Sequence, residues 1–112
     1  LVRRPPRPTL SPYTTLFRST LRACTRETAA RAENGEDVRV ESSMIKYCAG
    51  EWGWRSIDKI MQIFGGMGET LDMPIAHWYL LLRHARIGGG TSEIHKFVMA
   101  RALLNGSVSY QG

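Results

Sequence analysis

The sequence predicts an all-α fold, and three observations support this prediction. Apolar residues recur at intervals of three or four over long stretches, which is the period of one face of a helix. Glycine clusters at residues 65–68 and 88–90 separate these stretches, and glycine ends helices readily because positive φ costs it little. We find no candidate strand. A partial helical bundle is therefore expected, with four helices at residues 20–33, 38–64, 74–86 and 92–104.

The first nineteen residues differ from the rest of the chain. Pro5, Pro6 and Pro8 lie in a stretch with no helical or strand period, which indicates an extended segment. Residues 12–19 (PYTTLFRS) match the translation of a common sequencing adapter, CCC TAC ACG ACG CTC TTC CGA TCT. We therefore expect residues 1–19 to be a disordered, non-native leader. A natural basic leader or a transit peptide is the alternative.

The positive charge is concentrated in this leader. The net charge is +5, but four arginines and no acidic residue fall within the first nineteen positions, which leaves 11 basic against 10 acidic residues elsewhere. This distribution argues against a nucleic-acid-binding protein, in which basic residues would cluster on the folded domain.

Composition argues against two other classes. No run approaches the roughly 18 to 20 apolar residues that span a bilayer. Cys24 and Cys48 match no metal or redox spacing, so free thiols in a cytoplasmic protein are expected. His77 and His84 could face one way, with His95 further on, but no Cys, Asp or Glu supports them at metal-ligand spacing on that helix. We therefore expect no metal site.

The first two helices carry apolar stripes. Leu21, Cys24 and Thr28 recur along the first helix, and Asn34-Gly35 supply a left-handed stop. Trp54 and Ile60 widen the apolar face of the second helix, which suggests packing on more than one side. Its main stripe is expected to comprise Met44, Cys48, Trp52, Ile57, Met61 and Phe64.

The last two helices have recognisable starts. Pro74 suits the first turn of the third helix, with Asp72 as a candidate N-cap. Thr91 or Ser92 is expected to cap the fourth helix, which Asn105-Gly106 would end before a tail at residues 107–112. The inner side of the third helix is predicted to carry Ile75, Trp78, Leu82 and Ala85.

Three segments together resemble the C-terminal domain of acyl-CoA dehydrogenases. They are Gln62-Ile-Phe-Gly-Gly-Met-Gly68, then Met73-Pro74 with Trp78-Tyr79, then Arg86-Ile-Gly-Gly-Gly-Thr-Ser-Glu-Ile94 followed by Ala100-Arg101-Ala-Leu103. Their order and spacing match the family over roughly residues 20–105. The resemblance implies a partial C-terminal helical domain at residues 20–106, from a parent enzyme that uses FAD to oxidise an acyl-CoA to the 2,3-enoyl-CoA.

The resemblance also implies two FAD-binding segments. The first would receive the ADP half of a cofactor held mainly by a neighbouring subunit, and it comprises Gln62, Ile63, Phe64, Gly65 and Gly66. The second, Thr91, Ser92 and Glu93, would contact FAD from the subunit that binds the flavin, and Gly90 matches a substrate-binding position. Glycine lets backbone N–H groups approach a diphosphate, and a helix start favours an anion. The alternatives are a glycine helix end without a ligand and simple N-capping.

The catalytic base is not expected in this chain. One branch of the family places a glutamate immediately before Gly-Thr-Ser, where this sequence has Gly89. The sequence resembles a second branch, which includes the isovaleryl-CoA type and takes its glutamate from an earlier helix. That helix would lie upstream of Thr20, so the chain is interpreted as an inactive fragment. A noncatalytic helical interaction or oligomerisation module of the same fold is the alternative.

The resemblance further implies partners. Acyl-CoA would be the substrate, the helical bundle would join a homodimer or homotetramer, and an electron-transfer flavoprotein would accept electrons. Leu80-Leu81 depart from the family, which commonly has Arg-Asp after Trp-Tyr. This apolar run is expected to cover a neighbouring subunit or to pack against upstream helices.

Overall fold

A computed structural model describes residues 12–107 of the 112-residue chain, and these residues form five α-helices and no strand. The all-α prediction is confirmed. The central helix α2 contacts each of the other four helices, and α3 also packs on α4. The helices are α1 (Pro12–Glu33), α2 (Arg39–Phe64), α3 (Gly66–Glu69), α4 (Ile75–His84) and α5 (Ser92–Leu104).

Helix α1 begins earlier than expected. Residues 12–19 were predicted to be disordered but are helical. This part of α1 packs against α2. The Phe17 ring stacks on Trp52 of α2 with ring centroids 4.3 Å apart. The Thr20 hydroxyl donates to the Leu16 carbonyl at 2.9 Å. The expectations for residues 1–11 and 108–112 lie outside the described residues.

The segment between α2 and α4 differs from the predicted loop. Residues 66–69 form the single turn α3, in which the Gly68 N–H donates to the Gly65 carbonyl at 2.9 Å. Asp72 is not the N-cap of α4, because the helix starts one residue after Pro74 and no side chain caps it. Helix α4 ends two residues early, where the Gly88 N–H donates to the His84 carbonyl and closes a turn.

The inward face of α2 agrees only in part with the predicted stripe, of which Ile57 is buried. Ser43, Gly50 and Ile57, spaced seven residues apart, are the buried residues of this helix. Met44 and Trp52 are 47% and 40% exposed, so their prediction as core residues was wrong. Small residues face inward because they allow neighbouring elements to approach: a Cβ on Gly50 would lie 3.4 Å from the Ala85 carbonyl oxygen.

The core of the described chain is small. Its buried apolar side chains are Ile57, Ile75 and Ala102, whereas sixteen large hydrophobic residues are exposed. Leu80 and Leu81 are among the exposed residues, as are Ile63 and Phe64 at the end of α2. Much apolar surface is therefore left for further protein to cover. None of the helices within residues 12–107 has the length and hydropathy needed to cross a bilayer.

Candidate cofactor-binding loops

The first glycine segment, residues 62–66, is open to solvent at the end of α2. Gly65 ends the helix with φ +54°, and its N–H donates to the Gln62 carbonyl at 3.3 Å. All five predicted residues of the segment are exposed, Ile63 to 80%. A Cβ added to Gly65 or Gly66 would meet no atom within 4 Å. A ligand can therefore approach this main chain from outside.

Gly68 has a different role from these two glycines. It is buried, and a Cβ there would lie 3.1 Å from the Met61 carbonyl oxygen and 3.3 Å from the Phe64 Cβ. Its missing side chain therefore allows α3 to pack against the end of α2. The glycine cluster thus divides into an open pair and a packing residue.

The second glycine segment, Gly88–Gly90, connects α4 to α5. Gly89 and Gly90 have φ values of +71° and +109°. The imidazole of His84 lies against Gly88 and that of His95 against Gly90, since added Cβ atoms would stand 2.6 Å and 2.9 Å from the respective Nε2 atoms. Gly89 is exposed, and an added Cβ would meet only the Lys46 side chain, at 3.8 Å.

Glu51 of α2 binds both ends of this connection, which we call loop 86–92. Its Oε1 accepts hydrogen bonds from Arg86 Nε at 2.7 Å and from Ser92 Oγ at 3.0 Å. The Ser92 N–H donates to the Arg86 carbonyl at 3.1 Å and closes the loop on itself. Ser92 is only 4% exposed and the Glu51 side chain 15%.

The electrostatic environment keeps Glu51 ionised. Burial alone would raise the pKa of this carboxyl, but hydrogen bonds from Ser92 and Arg86 favour the charged form. The positive charges of Arg86 and Arg55 act in the same direction, and the pKa falls below its ordinary value. Glu51 is therefore a carboxylate at neutral pH.

The start of α5 places the three predicted residues in different environments. Thr91 is the N-cap, and its Oγ1 accepts from the Ile94 N–H at 3.3 Å. The Ser92 hydroxyl is directed to Glu51 instead of to solvent. Glu93 is exposed in the first turn, where its charge favours the helix dipole. Capping by Thr91 was one of the two predicted alternatives and is confirmed.

Several amide groups around this turn have no protein acceptor. Within the described part of the chain, the N–H groups of Gly89, Gly90, Thr91 and Glu93 donate to no backbone or side-chain atom. Unpaired N–H groups at a helix start favour anions and oxygen acceptors. The arrangement can therefore bind a ligand through its main chain.

One chain does not bring the two glycine segments together. Glu51, which holds loop 86–92, lies fourteen positions before Gly65 in sequence, or about 21 Å away at the helical rise.

The histidines of α4 form no metal site with other residues that the structure describes. His77 and His84 are both exposed, and no three potential metal ligands cluster in the chain from residue 12 to residue 107. An open groove lies between the start of α2 and the end of α5, and none of the predicted site residues lines it.

Sequence reasoning missed Glu51, Lys46 and the two histidines that pack on the glycines. Lys46, five residues before Glu51 on α2, donates from its Nζ to the Ala85 carbonyl at 2.9 Å. The sequence offered one signal for Glu51, namely that this acidic residue directly follows Gly50, a small residue of α2. Its partners lie 35 and 41 residues away in sequence, so helical periodicity alone could not identify them.

Comparisons with known proteins agree with this architecture. Residues 17–104 match the family model described as acyl-CoA dehydrogenase, C-terminal domain. The chain is 33% identical over 84 residues to (R)-benzylsuccinyl-CoA dehydrogenase of Thauera aromatica, an alignment that covers 74% of this chain and 21% of that protein. A crystal structure from Mycobacterium smegmatis, assigned as an acyl-CoA dehydrogenase, superposes with a TM-score of 0.73 at 31% identity, and covers 80% of this chain and 24% of the other. The chain spans about a quarter or less of these relatives.

Proposed function

Because this chain belongs to the acyl-CoA dehydrogenase family, within whose C-terminal domain residues 17–104 fall, we propose that it forms the C-terminal part of a flavin-dependent enzyme. That enzyme would oxidise an acyl-CoA thioester to the 2,3-enoyl-CoA. The observation that carries the proposal is the set of N–H groups at Gly89, Gly90, Thr91 and Glu93 that have no acceptor among residues 12–107. These groups would donate to oxygen atoms of FAD and of the substrate.

The residues present fit FAD in two ways. The open main chain at Gly65 and Gly66 has no side chain that would block a flat ligand. The exposed amide of Gln62 can donate and accept hydrogen bonds at the same segment. When bound, FAD would supply the acceptor for the hydride that leaves the thioester β-carbon. Ile63 and Phe64 would add apolar contacts to the adenosine side of the cofactor.

The two segments lie far apart along α2, with about 21 Å between Glu51 and Gly65. We propose that residues 62–66 serve the FAD of a neighbouring subunit, while the main chain of Thr91 and Glu93, held in place by Ser92, serves the FAD of its own subunit. The exposed side chains of Ile63 and Phe64 are consistent with an interface there. We propose a homodimer or homotetramer on this basis, with an electron-transfer flavoprotein as the electron acceptor.

This chain would orient the substrate without removing its proton. Gly89, at the position of the base in one family branch, has no side chain and has a left-handed φ. The base would therefore come from another part of the full-length enzyme. Gly90 would present main chain to the substrate, since its own Cβ position is closed by His95.

A noncatalytic interaction module of the same fold is the second candidate. The small core and the sixteen exposed large hydrophobic residues within residues 12–107 are compatible with it, because such a surface needs a protein partner whether or not catalysis occurs. The two candidates differ in one expectation. Only the enzyme requires a flavin that an acyl-CoA can reduce.

The test uses the full-length gene product that contains these residues. We expect the purified protein to hold one FAD per subunit and its visible flavin absorption to bleach on anaerobic addition of a suitable acyl-CoA. Gly66→Val should weaken FAD binding by blocking the open main chain, whereas Ala49→Val, at an exposed position of α2, should not. A protein that binds neither FAD nor any acyl-CoA would refute the enzyme and favour the module.

A further inference from the structure

We propose that Glu51 is a positioning residue for the flavin-contacting loop, and that it acts through Arg86 and Ser92 and not by direct contact with flavin or substrate. This inference rests on the proposed function, because loop 86–92 carries three of the four N–H groups assigned to FAD and substrate. The carboxylate would hold the loop in one shape on α2. In the same way, the Ser92 hydroxyl would act through Glu51 and not as a direct ligand.

The geometry joins both ends of the loop to one atom. Arg86 Nε and Ser92 Oγ reach the same Glu51 Oε1 from opposite ends of loop 86–92. The backbone bond from the Ser92 N–H to the Arg86 carbonyl adds a third connection between those ends. Three hydrogen bonds thus restrict a loop whose glycines would otherwise be conformationally free.

A short stretch of α2 forms the base of this loop. Lys46 Nζ holds the Ala85 carbonyl at 2.9 Å, and the absent side chain of Gly50 lets that carbonyl approach the helix. Glu51 then holds the following residue, Arg86. Consecutive loop residues are therefore fixed by α2 before the glycines begin.

This ion pair differs from the others in the described chain. The pairs of Arg31 with Glu36 and Glu41 and of Arg39 with Asp37 join residues at most ten positions apart, whereas Glu51 and Arg86 are 35 apart. The Glu51–Arg86 pair is also the least exposed of the four. Charged hydrogen bonds are strongest where solvent does not compete. The pair is thus placed to fix tertiary structure.

The position of Glu51 affects the direction in which the ligand-binding N–H groups point. Thr91 and Glu93, whose N–H groups find no acceptor in the part of the chain that the structure describes, flank Ser92 in sequence. Because the Ser92 side chain and N–H are both occupied inward, movement of Glu51 would change where those two neighbouring N–H groups point. Small misplacements of the groups that position a reactant can lower the reaction rate heavily.

The first arm of the test measures the loop itself. Glu51→Gln keeps the side-chain size but removes the charge, and Glu41→Gln is the matched control. Glu41 also pairs with an arginine of another helix, and it lies about 15 Å from Glu51 along α2. Hydrogen–deuterium exchange of the full-length protein should show about threefold faster early uptake at residues 85–92 in Glu51→Gln only. Equal uptake in both variants would overturn the positioning role.

The second arm measures flavin binding and separates positioning from general stability. Glu51→Gln should raise the Kd for FAD by about tenfold, the range expected when charged hydrogen bonds are lost, and should shift the visible circular dichroism of bound flavin. Glu41→Gln should change the melting temperature without either effect, and Ser92→Ala should resemble Glu51→Gln more weakly. FAD binding unchanged in Glu51→Gln would refute the inference.

The two arms also distinguish failure of the inference about Glu51 from failure of the proposed function. If the unsubstituted protein binds no FAD, the proposed function fails and the flavin part of this inference fails with it. The exchange arm then still decides whether Glu51 holds loop 86–92. If FAD binds normally and exchange is insensitive to Glu51→Gln, only the inference about Glu51 is wrong.

Discussion

The imidazole of His95 lies directly against Gly90, so that a Cβ on this glycine would stand 2.9 Å from Nε2. That nitrogen is buried and has no hydrogen-bond partner among the described residues. Gly90 also has φ +109°, a conformation that side chains rarely adopt. Two independent constraints therefore require glycine at this position.

Gly90→Ala should destabilise the chain by about 2–4 kcal/mol, because backbone strain adds to the clash with His95. Gly89→Ala is the matched control, since Gly89 has a positive φ but its added Cβ would meet only the Lys46 side chain, at an ordinary contact distance of 3.8 Å, and should cost about 1 kcal/mol. Urea unfolding measures both. Equal costs would show that the imidazole contact is unimportant.

Ile57→Ala should lower the free energy of unfolding by about 2–5 kcal/mol, because Ile57 is 2% exposed and its truncation leaves a cavity. Ile60→Ala, one turn away and substantially exposed, should cost less than about 1 kcal/mol. Chemical unfolding of the two variants compares them on one helix. A larger effect at Ile60 would contradict the buried face assigned to α2.

The contribution of Glu51 to stability should depend on pH. Its pKa is lower in the folded chain than in the unfolded chain, so its stabilisation is present above the unfolded pKa of about 4.3 and is lost as pH falls through the folded pKa. The stability difference between the unsubstituted chain and Glu51→Gln should therefore shrink in acid. Urea titrations from neutral pH down to about pH 3 measure it. A difference that does not change with pH would be inconsistent with an ionised Glu51.

Cys48 should react slowly with iodoacetamide in the folded chain. Burial raises the pKa of its thiol, and Cys24 nearby raises it further, so less reactive thiolate is present at neutral pH. We expect alkylation at pH 8 to accelerate by about tenfold on unfolding in urea, as followed by mass spectrometry. Cys24→Ser should speed the folded-state reaction modestly. A folded rate equal to the unfolded rate would contradict the burial of this thiol.

The C-terminal ends of α1, α2 and α5 were predictable from the sequence. Gly35, Gly65 and Gly106 all have positive φ next to the end of a helix, as their positions in the sequence indicated. Thr91 caps α5 through its hydroxyl, also as expected. These features depend on the conformational preferences of a few adjacent residues, which a sequence displays directly.

The inward face of α2 could not be predicted in the same way. Apolar residues occur around much of this helix, and the face that packs on α4 is formed by small residues such as Gly50. Trp52 has a stronger hydrophobic signal but lies beside α1, partly exposed. Burial depends on how closely neighbouring helices approach, and periodicity does not report this distance.

The candidate site also has some features that were predictable from local sequence and others that depend on tertiary packing. From its glycine clusters and helix starts, the sequence by itself determined which family it resembles, and this resemblance predicted ligand-binding segments at residues 62–66 and 90–93. Only the tertiary structure decided that Ser92 faces Glu51 and that His95 lies on Gly90. Local backbone preferences act between neighbouring residues, whereas a hydrogen bond such as that from Ser92 to Glu51 forms only after packing brings distant parts of the chain together.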